Sequence, residues 1–115
     1  MTTLCIEFKQ KIMKPEFENI PLKDTGTRFE IEFNGNFAFI DYRVMGSQIA
    51  LNHTEADLLI AGTGAAAAVV EKTLHYIEDH QKKALPFCPY VFAFIKKNPE
   101  WKRIVDPRFK EYDQL

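Results

Sequence analysis

Three residue groups in this 115-residue chain have types and spacings suited to chemistry: a glycine-spaced loop, an imidazole and a thiol. The loop, Ile60-Ala61-Gly62-Thr63-Gly64-Ala65-Ala66, runs directly into a stretch of helical periodicity. The first N–H groups of a helix have no intrahelical acceptor and the macrodipole adds partial positive charge there, so an anion such as a pyrophosphate fits against such a loop. Glycines also serve turns and close packing, and a GxG by itself does not choose between these uses. His53 is followed by Thr54-Glu55, which can orient one ring nitrogen and leave the other as a base; a hydrogen-bonded structural histidine is the alternative. Cys88 precedes Pro89, which pushes its backbone toward the extended region and lets it cap the helix that follows. A thiol so placed feels the helix dipole and ionises below the free value of about 8.5. The alternative is a small apolar residue buried among Phe87, Tyr90 and Phe92. His75 and His80, beside Glu71 and Glu78 in the helical pattern, are explained structurally.

These groups need a frame. Phe29, Ile31 and Phe33 alternate with polar residues, Asn34-Gly35 supplies a turn, and Phe37 and Phe39 resume the alternation, which predicts a β-hairpin from Arg28. Its second strand runs on through Asp41-Tyr42-Arg43, and Met45-Gly46-Ser47 turns the chain into a third strand over residues 48–54. Ala66, Val69, Val70, Leu74 and Ile77 recur at helical spacing, with Glu71, Lys72, His75, Glu78 and Asp79 opposite, and predict a helix over 64–80. The apolar run 84–87 is expected as a buried strand parallel to the third. Pro89 at a first helical position and Asn98-Pro99-Glu100 as the next cap make 90–97 a helix. In the N-terminal extension a strand over 4–8 is possible, after which Pro15, Pro21 and Gly26 interrupt regular structure. The expected fold is therefore α/β in the broad sense, specifically α+β, with a mostly antiparallel sheet and one β-α-β crossover. A right-handed crossover puts the ends of both parallel strands and the helix N-terminus at one sheet edge, where His53, the loop and Cys88 converge.

Composition bounds the alternatives. One domain fits this length. Fifteen basic against sixteen acidic residues give a net charge of −1, and the short pairs Lys82-Lys83, Lys96-Lys97 and Lys102-Arg103 are diluted by acids. That balance argues against a nucleic-acid partner. No apolar run reaches membrane-spanning length and the start lacks a basic, apolar leader, so a cytoplasmic protein off the membrane is expected. Cys5 and Cys88 are then free thiols. His75 and His80 lack further soft ligands nearby, and no metal is expected.

His53-Thr54 at a strand end, Gly62-Thr63-Gly64-Ala65-Ala66 nine residues on, and Cys88-Pro89-Tyr90-Val91 leading to Lys97-Asn98-Pro99-Glu100-Trp101 stand in a telling order. The chain resembles the small single-domain members of the GCN5-related N-acetyltransferase (GNAT) superfamily that carry a cysteine near the substrate cleft. The resemblance covers about residues 28–105 and divides the chain into an extension 1–26, a GNAT-like domain 27–105 and a tail 106–115. It implies acetyl-coenzyme A, with pantetheine along the strand by His53, Thr54 and Glu55. The pyrophosphate would lie on the amides of Leu59, Ile60, Ala61, Gly62, Thr63, Gly64, Ala65 and Ala66, with Lys96 or Lys97 toward the adenosine end. It further implies His53 as the base for an amine acceptor and Cys88 as a catalytic residue beside the thioester. Where the superfamily motif usually carries Gln or Arg before the glycines and a basic residue beside them, this chain has Leu59, Ala61 and Thr63. Losing a charge-assisted hydrogen bond costs about 1.5–3 kcal/mol. A catalytically weak or inactive acyl-CoA-binding module is therefore the alternative to an acetyltransferase. A third reading is an interaction protein that uses the extension and the aromatic tail of Phe109 and Tyr112.

Overall fold

The apolar–polar alternation of residues 28–56 folds as a meander of three antiparallel strands. The structure, a computed structural model, describes residues 13–115; the strand expected over 4–8 and Cys5 lie outside them. In chain order the helices and strands are α1 (Pro15–Glu18), β1 (Lys23–Asp24), β2 (Arg28–Phe33), β3 (Asn36–Met45), β4 (Gln48–Ala56), α2 (Ala65–Asp79), β5 (Lys83–Pro86) and α3 (Pro89–Lys97). The sheet order is β1-β2-β3-β4-β5, antiparallel throughout except for the parallel β4–β5 pair that α2 connects. Asn34 and Gly35 both take positive φ, 53° and 78°, the twist a two-residue hairpin loop requires. The third strand runs two residues beyond the expected end, to Ala56.

One sheet face meets α2. Ile31, Ala38, Ile40 and Leu51 are essentially inaccessible there, in one cluster with Ala68, Val69, Leu74 and Ile77 of the helix, and the buried Phe29 meets Tyr76 of the helix at 4.8 Å. Each such valine, leucine, isoleucine or phenylalanine side chain contributes about 1.5–3 kcal/mol on burial. The α2 flank expected to be polar is in part covered. Glu71 is only 3% exposed, because the 3-10 segment Pro99–Ile104 packs along the helix and sets Trp101 edge-on to His75, one turn further on, at 4.8 Å.

Both chain ends described by the structure join this core. Phe17 of α1 is wholly buried, its ring 4.7 Å from that of Phe33, and Met13, Ile20 and Leu22 pack partly buried beside it. At the other end Phe109 is 5% exposed and lies edge-on to Phe87 at 5.4 Å. Turned inward, Phe109 offers no docking patch, which removes that support for the interaction-protein reading.

Candidate active site

The site grows from a break in the sheet. Parallel pairing of β4 with β5 starts at Gln48–Lys83 and stops at Leu51–Pro86. Proline has no N–H to carry the ladder on. The next link is the Cys88 N–H, which donates to the Leu51 carbonyl at 2.8 Å before Pro89 opens α3. Beyond it β4 continues to Ala56 with no partner on that side among the described residues, and the two strands part. The wedge between them is a cleft of about 570 Å³, lined by residues 54–56, 60–62, 64–67 and Tyr90. That volume lies within the ordinary range for small-ligand sites, about 300–1,000 Å³.

The glycine loop forms one lip. Asp57 pins its start to β3, its carboxylate accepting the Phe37 N–H at 2.7 Å and its own N–H donating to the Phe37 carbonyl at 2.9 Å. A single 3-10 turn, Leu58–Ile60, then leads to Gly62 and Gly64, whose φ values of 81° and 97° lie in the left-handed region that favours glycine. The amides of Ile60, Ala61 and Thr63 are spent inside the turn, on the carbonyls of Asp57, Leu58 and Ile60. The Thr63 hydroxyl is also committed: it donates to the Ile60 carbonyl at 2.6 Å and accepts the Ala65 N–H at 3.3 Å. The amides of Gly62, Gly64, Ala66 and Ala67 have no acceptor among the described residues. The cradle is thus narrower than the stretch 59–66, and it reaches one residue further into α2.

A bulge decides where His53 points. Directly paired residues on neighbouring strands share a face, and Asp41 pairs with His53 while Tyr42 pairs with Leu51, leaving Asn52 as the extra residue. Thr54, opposite Ile40, and Leu51, opposite Tyr42, therefore face α2, whereas His53 and Glu55 face the other side of the sheet with Asp41 and Phe39. His53 Nε2 lies 2.9 Å from Glu55 Oε1, and the imidazole side chain is 57% exposed. Cys88 belongs to the α2 side: it is 3% exposed and its Sγ stands 3.4 Å from Thr54 Oγ1. The imidazole and the thiol reach the same sheet edge but from opposite faces, so the expected convergence of base and thiol on one point does not occur. The strand between them is the reason.

Tyr90 is a cleft residue that sequence reasoning passed over as part of the helix pattern. It lines the wedge from the first turn of α3, and burial raises its phenol above its ordinary value, with the neighbouring Cys88 adding to the effect. Its signal in the sequence was its place right after Cys88-Pro89, at the end of the helix that opens on the cleft. Lys96 and Lys97 occupy the far end of the same helix and are not among the residues lining the cleft. Leu59 is 83% exposed at the outside of the loop. No helix among the described residues is long and apolar enough to cross a membrane.

With this geometry in hand, comparison with known proteins gives one assignment. A family model described as GCN5-related N-acetyl-transferase matches residues 28–104, which takes in the meander, the crossover, the cleft and α3. No curated protein matches the chain.

Proposed function

This chain belongs to the GCN5-related N-acetyltransferase family, and we propose that it transfers an acetyl group from acetyl-CoA to an amine. The observation that carries the reading is the set of four amides, Gly62, Gly64, Ala66 and Ala67, without an acceptor among the described residues, at the lip of the wedge that β4 and β5 open. A diphosphate held there would leave the pantetheine arm to the edge of β4 that has no partner among the described residues, where residues 54–56 line the cleft. Bound so, acetyl-CoA supplies an activated thioester carbonyl.

The chain's own groups then divide the proton work. With Nε2–H donating to Glu55, His53 keeps the Nδ1 lone pair free to take the proton of an amine arriving on the open face of the sheet. With acetyl-CoA as substrate, the amine nitrogen would bond to the thioester carbonyl carbon as the carbon–sulfur bond breaks, and the Tyr90 phenol in the cleft wall would give a proton to the leaving thiolate. Among the described residues Cys88 has the Thr54 hydroxyl and the Tyr90 phenol as polar neighbours, and the imidazole of His53 is on the other face. This favours direct transfer over an acyl-cysteine step. The cysteine's part is to occupy the N-cap position of α3, its backbone N–H fastened to Leu51 of β4.

The second reading, an acyl-CoA-binding module without turnover, draws on the uncharged Leu59, Ala61 and Thr63 in the loop. Calorimetric titration with acetyl-CoA, followed by a free-thiol assay in the presence of amines, separates the two. Binding with amine-dependent thiol release supports the transferase. Binding with no release across a broad amine panel supports the module, and no binding at all defeats both.

A further inference from the structure

The glycine loop has no cation of its own, yet one is bonded to it from elsewhere in the chain. Lys14 Nζ donates to the Thr63 carbonyl at 3.0 Å, across 49 residues of sequence. The side chain is held in place along its length. A Cβ built on Gly64 would stand 3.5 Å from both Cδ and Cε of Lys14 and 3.6 Å from the Phe17 ring, so the lysine stem and the buried ring together form the rear wall of the loop. The Phe17 N–H donates to the Lys14 carbonyl at 3.0 Å, closing the turn that carries both residues.

We propose that Lys14 is a positioning residue for the coenzyme diphosphate, acting through the loop from behind; this rests on the reading of the cleft as an acyl-CoA site. In a trans peptide the carbonyl and the following N–H point in opposite directions. With the Thr63 carbonyl turned to Lys14, the Gly64 N–H is turned away from it, and Gly64 is one of the residues lining the cleft. A charge-assisted bond at the carbonyl polarises the whole peptide unit and makes its N–H a stronger donor. The ammonium also adds to the partial positive charge at the start of α2. The charge missing from positions 59, 61 and 63 is thus supplied in space by the segment ahead of the family-matched region.

The test is calorimetric titration of the full chain with coenzyme A, comparing wild type with Lys14→Gln and Lys14→Arg at low and moderate salt. The glutamine keeps a donor for Thr63 and loses the charge. We expect it to bind roughly three- to tenfold more weakly, the range of a charge at a helix N-terminus, with a flatter salt dependence, and the arginine variant to stay within about twofold of wild type. A glutamine variant that binds as tightly as wild type, or more weakly with an unchanged salt dependence, overturns the role of Lys14 and leaves the cleft assignment standing. A wild-type chain that does not bind coenzyme A overturns the cleft assignment, and this inference with it.

Discussion

His53 and Cys88 have one thing in common, their place at the second half of β4, the one in the strand and the other fastened beside it, and differ in everything that decides chemistry. The imidazole is more than half exposed and held by Glu55; the thiol is buried against Thr54. His53→Gln keeps a polar group of similar reach and removes the base. It is expected to lower kcat by about 100-fold or more, the usual worth of general-base catalysis, while leaving the acetyl-CoA dissociation constant near that of wild type. An equal loss in binding and turnover would assign the imidazole to structure instead. Cys88→Ala is expected to keep kcat within about threefold, since direct transfer asks no bond of the sulfur, and to cost about 1 kcal/mol of stability for the small cavity it leaves. Mass spectrometry of the wild-type chain after exposure to acetyl-CoA checks the same point: a stable adduct of one acetyl group on Cys88 that turns over with amine would reverse the assignment.

At the level of elements, the hairpin, the crossover helix and the Cys88-capped α3 were legible because each rests on local signals: alternation, a positive-φ turn pair, helical spacing, a proline at the first position. The phase of β4 was not. Counting by twos from Leu51 puts His53 on the α2 face, and only the extra residue at Asn52 reverses it, a feature of the pairing with β3 rather than of β4 itself. The loop's glycines were visible, but which amides remain free depends on bonds made inside the turn by Asp57, Leu58 and Thr63. Least visible was α1, four residues with no periodicity to announce them, whose only strong sign was a phenylalanine among polar neighbours. Phe17 nevertheless sits in the main core beneath Gly64. Phe17→Ala is therefore expected to lower global stability by about 3–5 kcal/mol, read from urea unfolding at equilibrium. A loss well under 1 kcal/mol would show that α1 is appended to the domain and not part of it.

The molecule as a whole is closed by its tail, and that closure carries a charge. Asp106 is nearly inaccessible, and its backbone N–H donates to the Ala84 carbonyl of β5 at 3.1 Å, while Val105 forms a parallel bridge with Ala84. Its carboxylate accepts the Arg108 guanidinium at 3.0 and 3.2 Å, the Gln48 amide at the start of β4 at 2.6 Å, and the Arg108 N–H at 2.9 Å. One side chain thus ties the tail to the parallel β4–β5 pair, at the end opposite to the cleft. The hydrogen bonds from Arg108 first, and from Gln48 next, hold the Asp106 carboxyl well below the usual carboxylate range. A carboxylate lowered in the folded state stabilises the fold in full above its unfolded value of about 3.9, and that contribution is lost as pH falls toward the folded value. Asp106→Asn keeps the shape and removes the charge. It is expected to be less stable than wild type at pH 7 and to show a shallower loss of stability between about pH 4 and pH 2, measured by urea unfolding across that range. The tail does not hold the β4–β5 pair in this way if the asparagine variant and the wild type lose stability in parallel over the same interval.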